Sequence, residues 1–338
     1  MSCKVLVDCF NKNYWEKCAK EFTDYNIYQT WPYQQIRADK SSLELSRFIV
    51  LVDNKLPIIM GHIRIKSFLN FRMGYIQSGP IIENKSTVME NIHEAVSVLK
   101  YELMLQRKLH ILRFNLNVWN DNQDLSLCFQ KCGFETGKYY KKNKTLIVSL
   151  ESTEDELLKR IDKDNRRLIR KADSLGLEIV VSTDDEYFPL LHQMYLEAKQ
   201  RKGFIGVDSS DFWNTQKKLS ENERIELIVI KHENVPIAIH ATSHLGNTAV
   251  PVLAANSVKS LELNVSNYVF WQAYMNAKKR GMSFYDLAGY DETENPRGFL
   301  FKRRMGGEEK EFIPPFDYCQ NKIVRYFWHK FSKKYYAL

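Results

Sequence analysis

Ionisable side chains, aromatic rings and glycine are most densely mixed in two neighbouring stretches. One is Tyr285-Asp286-Leu287-Ala288-Gly289-Tyr290; the other is Asn295-Pro296-Arg297-Gly298-Phe299-Leu300-Phe301-Lys302-Arg303-Arg304-Met305-Gly306-Gly307. The first ends an apolar run that reads as a strand. The second reads as a loop leading into a short helical turn that carries Phe301 and Lys302. Loops at strand ends, mounted on a rigid sheet, are where binding and catalytic groups are usually built, the plain alternative being a turn with solvated charge. A second basic cluster lies on a helix-like stretch, where Arg166/Arg170 and Arg167/Lys171 occupy adjoining faces. It reads equally as an anion site or as a solvated basic helix. His240 and His244 share one face of an apparent strand without a visible third ligand, and Cys128 and Cys132 share a helix face. Both pairs read as packing rather than as metal ligands. No HExxH, GxSxG, GxGxxG or GxxxxGK[ST] occurs, which argues against zinc-protease, hydrolase-elbow, Rossmann and P-loop readings.

The elements that must position these residues recur along the chain. Val50-Leu51-Val52-Asp53-Asn54-Lys55-Leu56-Pro57-Ile58 reads as strand, polar turn and strand, and Val229-Ile230-Lys231-His232-Glu233-Asn234-Val235-Pro236-Ile237 repeats the pattern. A helix ending in Gln106-Arg107-Lys108 precedes the strand Ile111–Leu116, as one ending in Lys278-Lys279-Arg280 precedes Ser283–Leu287. Phe129-Gln130-Lys131-Cys132-Gly133 then parallels Phe301-Lys302-Arg303-Arg304-Met305-Gly306. Three blocks in one order at nearly one offset predict two similar α/β domains in tandem, each a mixed sheet with helices. The expected division is 1–150 for the first domain, joined by the C-terminal segment 316–338, and 151–315 for the second. Ile27–Tyr33 reads as extended. Ile323, Phe327 and Phe331 read as a helix stripe docking on the first domain, ahead of RNA stacking or contact with a membrane surface.

The 338 residues suit two domains, and 44% hydrophobic with 27% charged residues excludes disorder as the main state. No run is long and apolar enough to span a bilayer, and Met1–Phe10 has no extended apolar signal region. Six scattered cysteines form neither a disulfide framework nor paired zinc knuckles, so the expected compartment is the cytoplasm. Lys and Arg number 49 against 41 Asp and Glu, a net charge of +8 that favours an anionic partner.

The stretch Asn264–Glu309 resembles the C-terminal signature of the Fem family of non-ribosomal, aminoacyl-tRNA-dependent peptidyl transferases, within the GNAT-like acyltransferases. The pattern YDLxG, loop, FKxxxGG is met by Tyr285–Gly289 and Phe301–Gly307. Four more blocks agree: Tyr28-Gln29-Thr30-Trp31, Gly74-Tyr75-Ile76-Gln77-Ser78-Gly79-Pro80, Arg166–Ala172 with Gly176, and Arg201-Lys202-Gly203-Phe204. The resemblance implies twin GNAT-like domains facing a central cleft. It places catalysis on Lys302, with its neighbour Phe301, the lysine stabilising charge at the reacting carbonyl and leaving group. It implies that Arg201 holds the acceptor, and it points to Trp31, Gln35, Tyr75, Asp286 and Tyr290 as further substrate contacts. Arg166, Arg170, Lys171, Arg303 and Arg304 are the expected tRNA contacts. A family lysine that binds the acceptor's nucleotide diphosphate falls on Gln35, and a first-domain aspartate falls near Asn115, so a nucleotide-linked precursor fits poorly.

Lys302 aligns with Gln130 in the repeat, so only the second half carries the cation. The first domain then reads as a degenerate copy serving acceptor binding. In an ordinary GNAT domain a glycine-rich turn holds the coenzyme A pyrophosphate; the corresponding Asn256–Asn264 has no glycine, which speaks against acetyl-CoA. The expectation is therefore amide formation between an aminoacyl-tRNA donor and an amine of a cell-wall precursor. No bound cofactor or metal is expected, and a peripheral contact with the inner membrane surface is. An acyl-CoA-dependent N-acyltransferase acting on a surface sugar, and a non-catalytic RNA-binding module, stay open as alternatives.

Overall fold

A computed structural model describes residues 2–83, 86–120, 122–137, 144–203, 206–290, 292–293 and 295–331. The chain forms two compact units: Met1–Asn143 with Glu311–Leu338, and Lys144–Lys310. Strands are numbered along the chain. The first unit holds β1 (Cys3–Val7), β2 (Glu44–Val52), β3 (Leu56–Phe68), β4 (Phe71–Ile76), β5 (Ile81–Ile82), β6 (Ile111–Phe114), β7 (Glu135–Thr136) and β15 (Phe316–Cys319). The second holds β8 (Lys144–Ser149), β9 (Glu178–Ser182), β10 (Glu226–His232), β11 (Val235–Leu245), β12 (Thr248–Asn256), β13 (Phe284–Gly289) and β14 (Glu308–Glu311).

The two sheets share one topology. The first runs β1-β2-β3-β4-β6-β15-β7, with β5 beside β3; the second, read from its far edge, runs β9-β10-β11-β12-β13-β8-β14. Each opens with a four-stranded antiparallel meander, continues through one parallel pair (β4–β6, β12–β13), and returns to an antiparallel neighbour (β15, β8). The agreement reaches the turns. Asp53 and Asn54, in the three-residue turn between Val52 and Leu56, and Glu233 and Asn234, in the two-residue turn between His232 and Val235, take left-handed conformations (φ 48°, 58°, 51° and 63°) that suit tight hairpin turns. Pro57 and Pro236 follow at matching register shifts, opposite Leu51 and Lys231, where a missing N–H disturbs the ladder least. The repeat read from the sequence is thus a structural repeat of two mixed sheets of one strand order.

The long helix Ser86–Gln106 buries Ile92, Val96, Leu99 and Leu103 against the first sheet. Helix Ser266–Lys279 buries Val269, Ala273 and Ala277 against the second. Burial of such apolar stripes is the main force holding helix to sheet.

Three expectations are corrected. The boundaries fall at 143/144 and 310/311 rather than 150/151 and 315/316. The reason is that Lys144–Ser149 already pairs with β13 of the second unit. Ile27–Tyr33 is not extended: Asn26 caps a single 3-10 turn at Ile27–Gln29, and Trp31–Lys40 is an α-helix with Pro32 in its first turn, where the missing N–H costs nothing. The C-terminal helix Lys322–Phe331 docks through Val324 and Trp328, which pack on Met73, Ile111 and Cys319, while Ile323 and Phe327 are exposed. The Trp328 indole also donates to Asp317 (2.8 Å), whose carboxylate pairs with the buried Arg113 (2.9 Å). Trp328→Ala should therefore lower stability by about 3–5 kcal/mol, whereas Ile323→Ala should stay within ~0.5 kcal/mol. Urea unfolding midpoints of the two variants check the contrast.

Candidate active site

The site grows out of the parallel pair β12–β13. Its register covers only Thr248↔Phe284 and Ala249↔Tyr285, after which the strands part toward their carboxyl ends. Parallel strands end on the same edge of a sheet, so the opening lies between Asn256 and Gly289. Two basic side chains finish these ends. The Arg201 guanidinium donates to the Asn256 carbonyl (3.1 Å), and the Lys302 ammonium donates to the carbonyls of Ala288 (3.2 Å) and Gly289 (2.8 Å). Those two bonds use two of the three Lys302 N–H donors.

Ala288 is the hinge of this arrangement. It sits at φ 64°, a conformation a residue with a Cβ seldom takes. Its N–H donates to the Asp286 carboxylate (2.8 Å) and its carbonyl accepts from Lys302, so an acid and a base hold it from both sides. The Thr145 hydroxyl on β8 donates to the same carboxylate oxygen, Oδ1 of Asp286. Burial raises the Asp286 pKa, an effect partly offset by the Thr145 and Ala288 hydrogen bonds and by Lys302. Burial lowers the Lys302 pKa while Asp286 supports its charge.

Phe301 anchors the lysine-bearing helix, Pro296–Arg304, by an edge contact with Phe270 (5.1 Å), and Phe270 in turn meets His240 (4.6 Å). His240 is fully buried. Its Nε2 shares a 2.7 Å hydrogen bond with the Tyr285 hydroxyl, and desolvation pushes its pKa down to about 4. Both glycines after the helix are sterically required. Gly306 is left-handed at φ 88° with its Cβ position 3.2 Å from the Arg160 backbone, and a Cβ on Gly307 would lie 2.9 Å from Leu146 and Leu287. Tyr290 packs on Phe299 (4.7 Å), and its hydroxyl donates to Glu309 (2.9 Å). Burial and that carboxylate lift its pKa to about 12.

The basic helices lie beside this helix. The Asp162 N–H donates to the Arg304 carbonyl (2.8 Å), and Asn165 meets Met305, so Lys163–Asp173 starts where Pro296–Arg304 ends. Arg170, Lys171, Arg303 and Arg304 are exposed there. Arg166 differs: it donates to the carbonyls of Lys159 and Ile161 (2.7 Å each) and closes the preceding helix Glu154–Arg160.

The remaining predicted contacts belong to the first unit. The Arg47 guanidinium lies 3.8 Å over the Trp31 ring and donates to Gln35 (2.6 Å), which donates on to Asp39 (2.8 Å). Arg64 is 3% exposed, donates to the neutral Gln77 (2.9 Å) and lies 5.6 Å from the Tyr75 ring. Asn115 is hydrogen-bonded to Tyr75, and the backbone of Gly79 bridges to Asn115 (2.8 Å) just past the last β4–β6 pair. The parallel pair of the first unit is therefore registered over Met73–Ile76 and tied again beyond, where that of the second unit opens. Phe204 lies outside the described residues.

Residues 159–302 match the acetyltransferase (GNAT) domain family. A solved structure titled as FemX superposes with a TM-score of 0.82 at 16% identity, covering 96% of this chain and all of the other. A lipid II:glycine glycyltransferase of Staphylococcus aureus is 26% identical over 174 residues, 48% of this chain and 40% of its own length. The chain is thus similar in part of its sequence to this glycyltransferase and in fold to the FemX structure. A Staphylococcus epidermidis protein of the same name is 29% identical over 114 residues, 33% of this chain and 27% of its own length. The matches thus span well under half the length of these curated relatives. A tandem GNAT protein of clavulanic acid biosynthesis shares the fold at a TM-score of 0.51 and 9% identity, over 95% of this chain and 99% of that one.

The structure brings Phe301, Lys302, Asp286 and Arg201 to the ends of one strand pair, with Tyr290 on the loop that leaves β13. Trp31 and Gln35 form a separate first-unit cluster around Arg47. Sequence reading missed Thr145, Arg47 and Arg64. A strand arginine with no acidic residue at cross-strand spacing was the one available signal for Arg64.

Ala288→Gly removes the left-handed penalty and should hold or raise stability by up to ~1 kcal/mol, whereas Ala288→Val should lower it by more than ~1 kcal/mol; urea titration distinguishes them. His240 supplies a pH test. Its folded pKa, about 4, lies below the ~6.5 of an unfolded histidine, so only the unfolded chain takes up the proton between those values. Its contribution is therefore intact above pH ~6.5 and declines by about 1.4 kcal/mol per pH unit down to about 4. His240→Gln should flatten the stability–pH curve across that window.

Proposed function

We propose that this Fem-like chain is an amide-forming acyltransferase that moves an aminoacyl group from aminoacyl-tRNA to an amine of a peptidoglycan precursor. The observation that carries the reading is the opening between β12 and β13, finished by Arg201 on one strand end and Lys302 on the other. An extended donor or acceptor segment entering it meets backbone groups released where the strand pair parts, and a cation set against Asp286.

Attack of a neutral amine on the ester carbonyl of the donor builds negative charge on the carbonyl oxygen and then on the departing ribose oxygen. The remaining N–H of Lys302 is suited to that charge. Because the ammonium is already fixed by two carbonyls, little reorganisation accompanies the step. The amine, with a pKa of about 10.4 if lysine-like, must arrive deprotonated or lose its proton as it attacks. In this reading one proton leaves the amine through water or substrate, and one reaches the ribose oxygen as the C–O bond breaks.

The exposed residues Arg170, Lys171, Arg303 and Arg304 suit donor phosphates, whereas Arg166 acts in helix closure. Asn256–Asn264 also favours tRNA over coenzyme A. Ser257 caps a short helix, Val258–Glu262, and Asn256 accepts from Ser260 (2.8 Å) and Ser266 (3.4 Å), so side chains occupy the turn that would otherwise offer N–H groups to a pyrophosphate. In the first unit, closure of the parallel pair and Gln130 in place of a lysine support an acceptor-holding role, with Trp31, Gln35, Arg47, Arg64 and Tyr75 as the contacts.

The test supplies charged tRNA and acyl-CoA separately and follows amide formation on amine-bearing precursors. Lys302→Met should lower turnover ~10²–10³-fold with little change in substrate affinity, and Gln130→Met should leave both near normal. Turnover with acyl-CoA alone would overturn the donor assignment. Equal loss in both variants would remove Lys302 from the site.

A further inference from the structure

The first unit carries an apolar surface that the transfer reaction does not use. The hairpin joining β3 to β4 ends in Phe68 and Leu69, which are 73% and 88% exposed, with Leu69 turned into a left-handed conformation at the tip (φ 51°). On helix Lys322–Phe331, Ile323, Tyr326 and Phe327 are 70%, 64% and 53% exposed. The two features meet. Lys66, Phe68 and Phe71 of the hairpin and Phe327 of the helix line one groove of about 230 Å³, floored by Met73, Ile111 and Trp328. Monomeric soluble proteins seldom leave so many large apolar side chains together in water.

The charge around this surface identifies its occupant. Segments 66–73 and 320–331 contain five lysines and arginines (Lys66, Arg72, Lys322, Arg325 and Lys330) and no aspartate or glutamate. Lys66, Lys322 and Lys330 are exposed at the surface, and Arg72 and Arg325 pair with Glu44 (2.8 Å) and Glu135 (2.7 Å). A helix with aromatic and aliphatic side chains outward and lysines at its flanks lies well in a bilayer interface, and each lysine near an anionic surface adds attraction. A protruding tip such as Phe68-Leu69 needs a complementary hollow in a protein partner, but none in hydrocarbon.

We infer that the Phe68-Leu69 hairpin tip and the Ile323/Tyr326/Phe327 face of the C-terminal helix together form a membrane-docking surface for an anionic bilayer. The apolar side chains enter the interface and the lysines meet the lipid phosphates. The inference stands on this surface alone and does not depend on the proposed transfer reaction.

Cosedimentation of the full chain with vesicles, without donor or acceptor, tests it. One set contains phosphatidylcholine with phosphatidylglycerol; the other is phosphatidylcholine alone. The expected result is binding to the anionic set that weakens as salt rises, and weak binding to the neutral set. The double variant Phe68→Ser/Leu69→Ser should reduce the partition coefficient by about tenfold or more, and Lys322→Glu/Lys330→Glu should remove the preference for anionic lipid. Val235→Ser, an exposed apolar position on the second unit, should bind as the parent does. Circular dichroism checks that each variant is folded. No binding to anionic vesicles would overturn the inference, as would equal loss in Val235→Ser. So would concentration-dependent self-association that the tip variant abolishes, which would assign the surface to a second copy of the chain.

Discussion

Two parallel strands that cease to pair after two residues set the conditions for the rest of the second unit. Once β12 and β13 part, their edges no longer satisfy one another, and backbone groups away from water must find other partners. The sequence supplies them at both strand ends: Arg201 for Asn256, Lys302 for Ala288 and Gly289. The left-handed Ala288, the buried Asp286 and the donating Thr145 then form one connected device. A neutral substitute for Lys302 removes the nearby cation that supports the charge of the buried Asp286.

The first unit shows the same architecture without the opening. Its strand pair is registered for four residues and tied again between Gly79 and Asn115, and Gln130 stands where the repeat places Lys302. Its polar residues have gathered elsewhere, around Arg47, Arg64, Trp31 and Tyr75. Arg64, a buried guanidinium, donates to the neutral Gln77, and among the described residues no ion pair is seen for it.

Much of the fold was legible because the two halves confirm each other. A polar hairpin turn followed by proline fixes strand length and register, and finding it twice left little freedom for the sheets between. Trp31 was misread because proline breaks a helix interior yet suits its first turn, and the neighbouring residues do not show which applies. The surroundings of Lys302 were legible only in part. The FK and GG positions marked the helix, but nothing local marks an alanine as left-handed, and Thr145 reaches Asp286 across 141 residues. Arg166 had the right type and spacing for an anion contact, and its engagement with two carbonyls of the preceding turn is a tertiary fact. The outward face of the C-terminal helix inverted the periodicity argument: apolar spacing identified the helix, but the alternate stripe, Val324 and Trp328, is the one that is buried.

The exchange of strands between repeat order and chain order has its own consequence. The second unit enters on β8 and leaves on β14, and these strands are neighbours in its sheet, so it is an insertion whose two ends meet at one place. The first sheet, by contrast, takes β15 from beyond that insertion and seats it between β6 and β7. During synthesis the inserted unit can therefore complete its hydrogen-bond ladder while the unit that began earlier still has a vacant lane between two of its strands. The chain is made from one end, but it finishes folding from the middle outward.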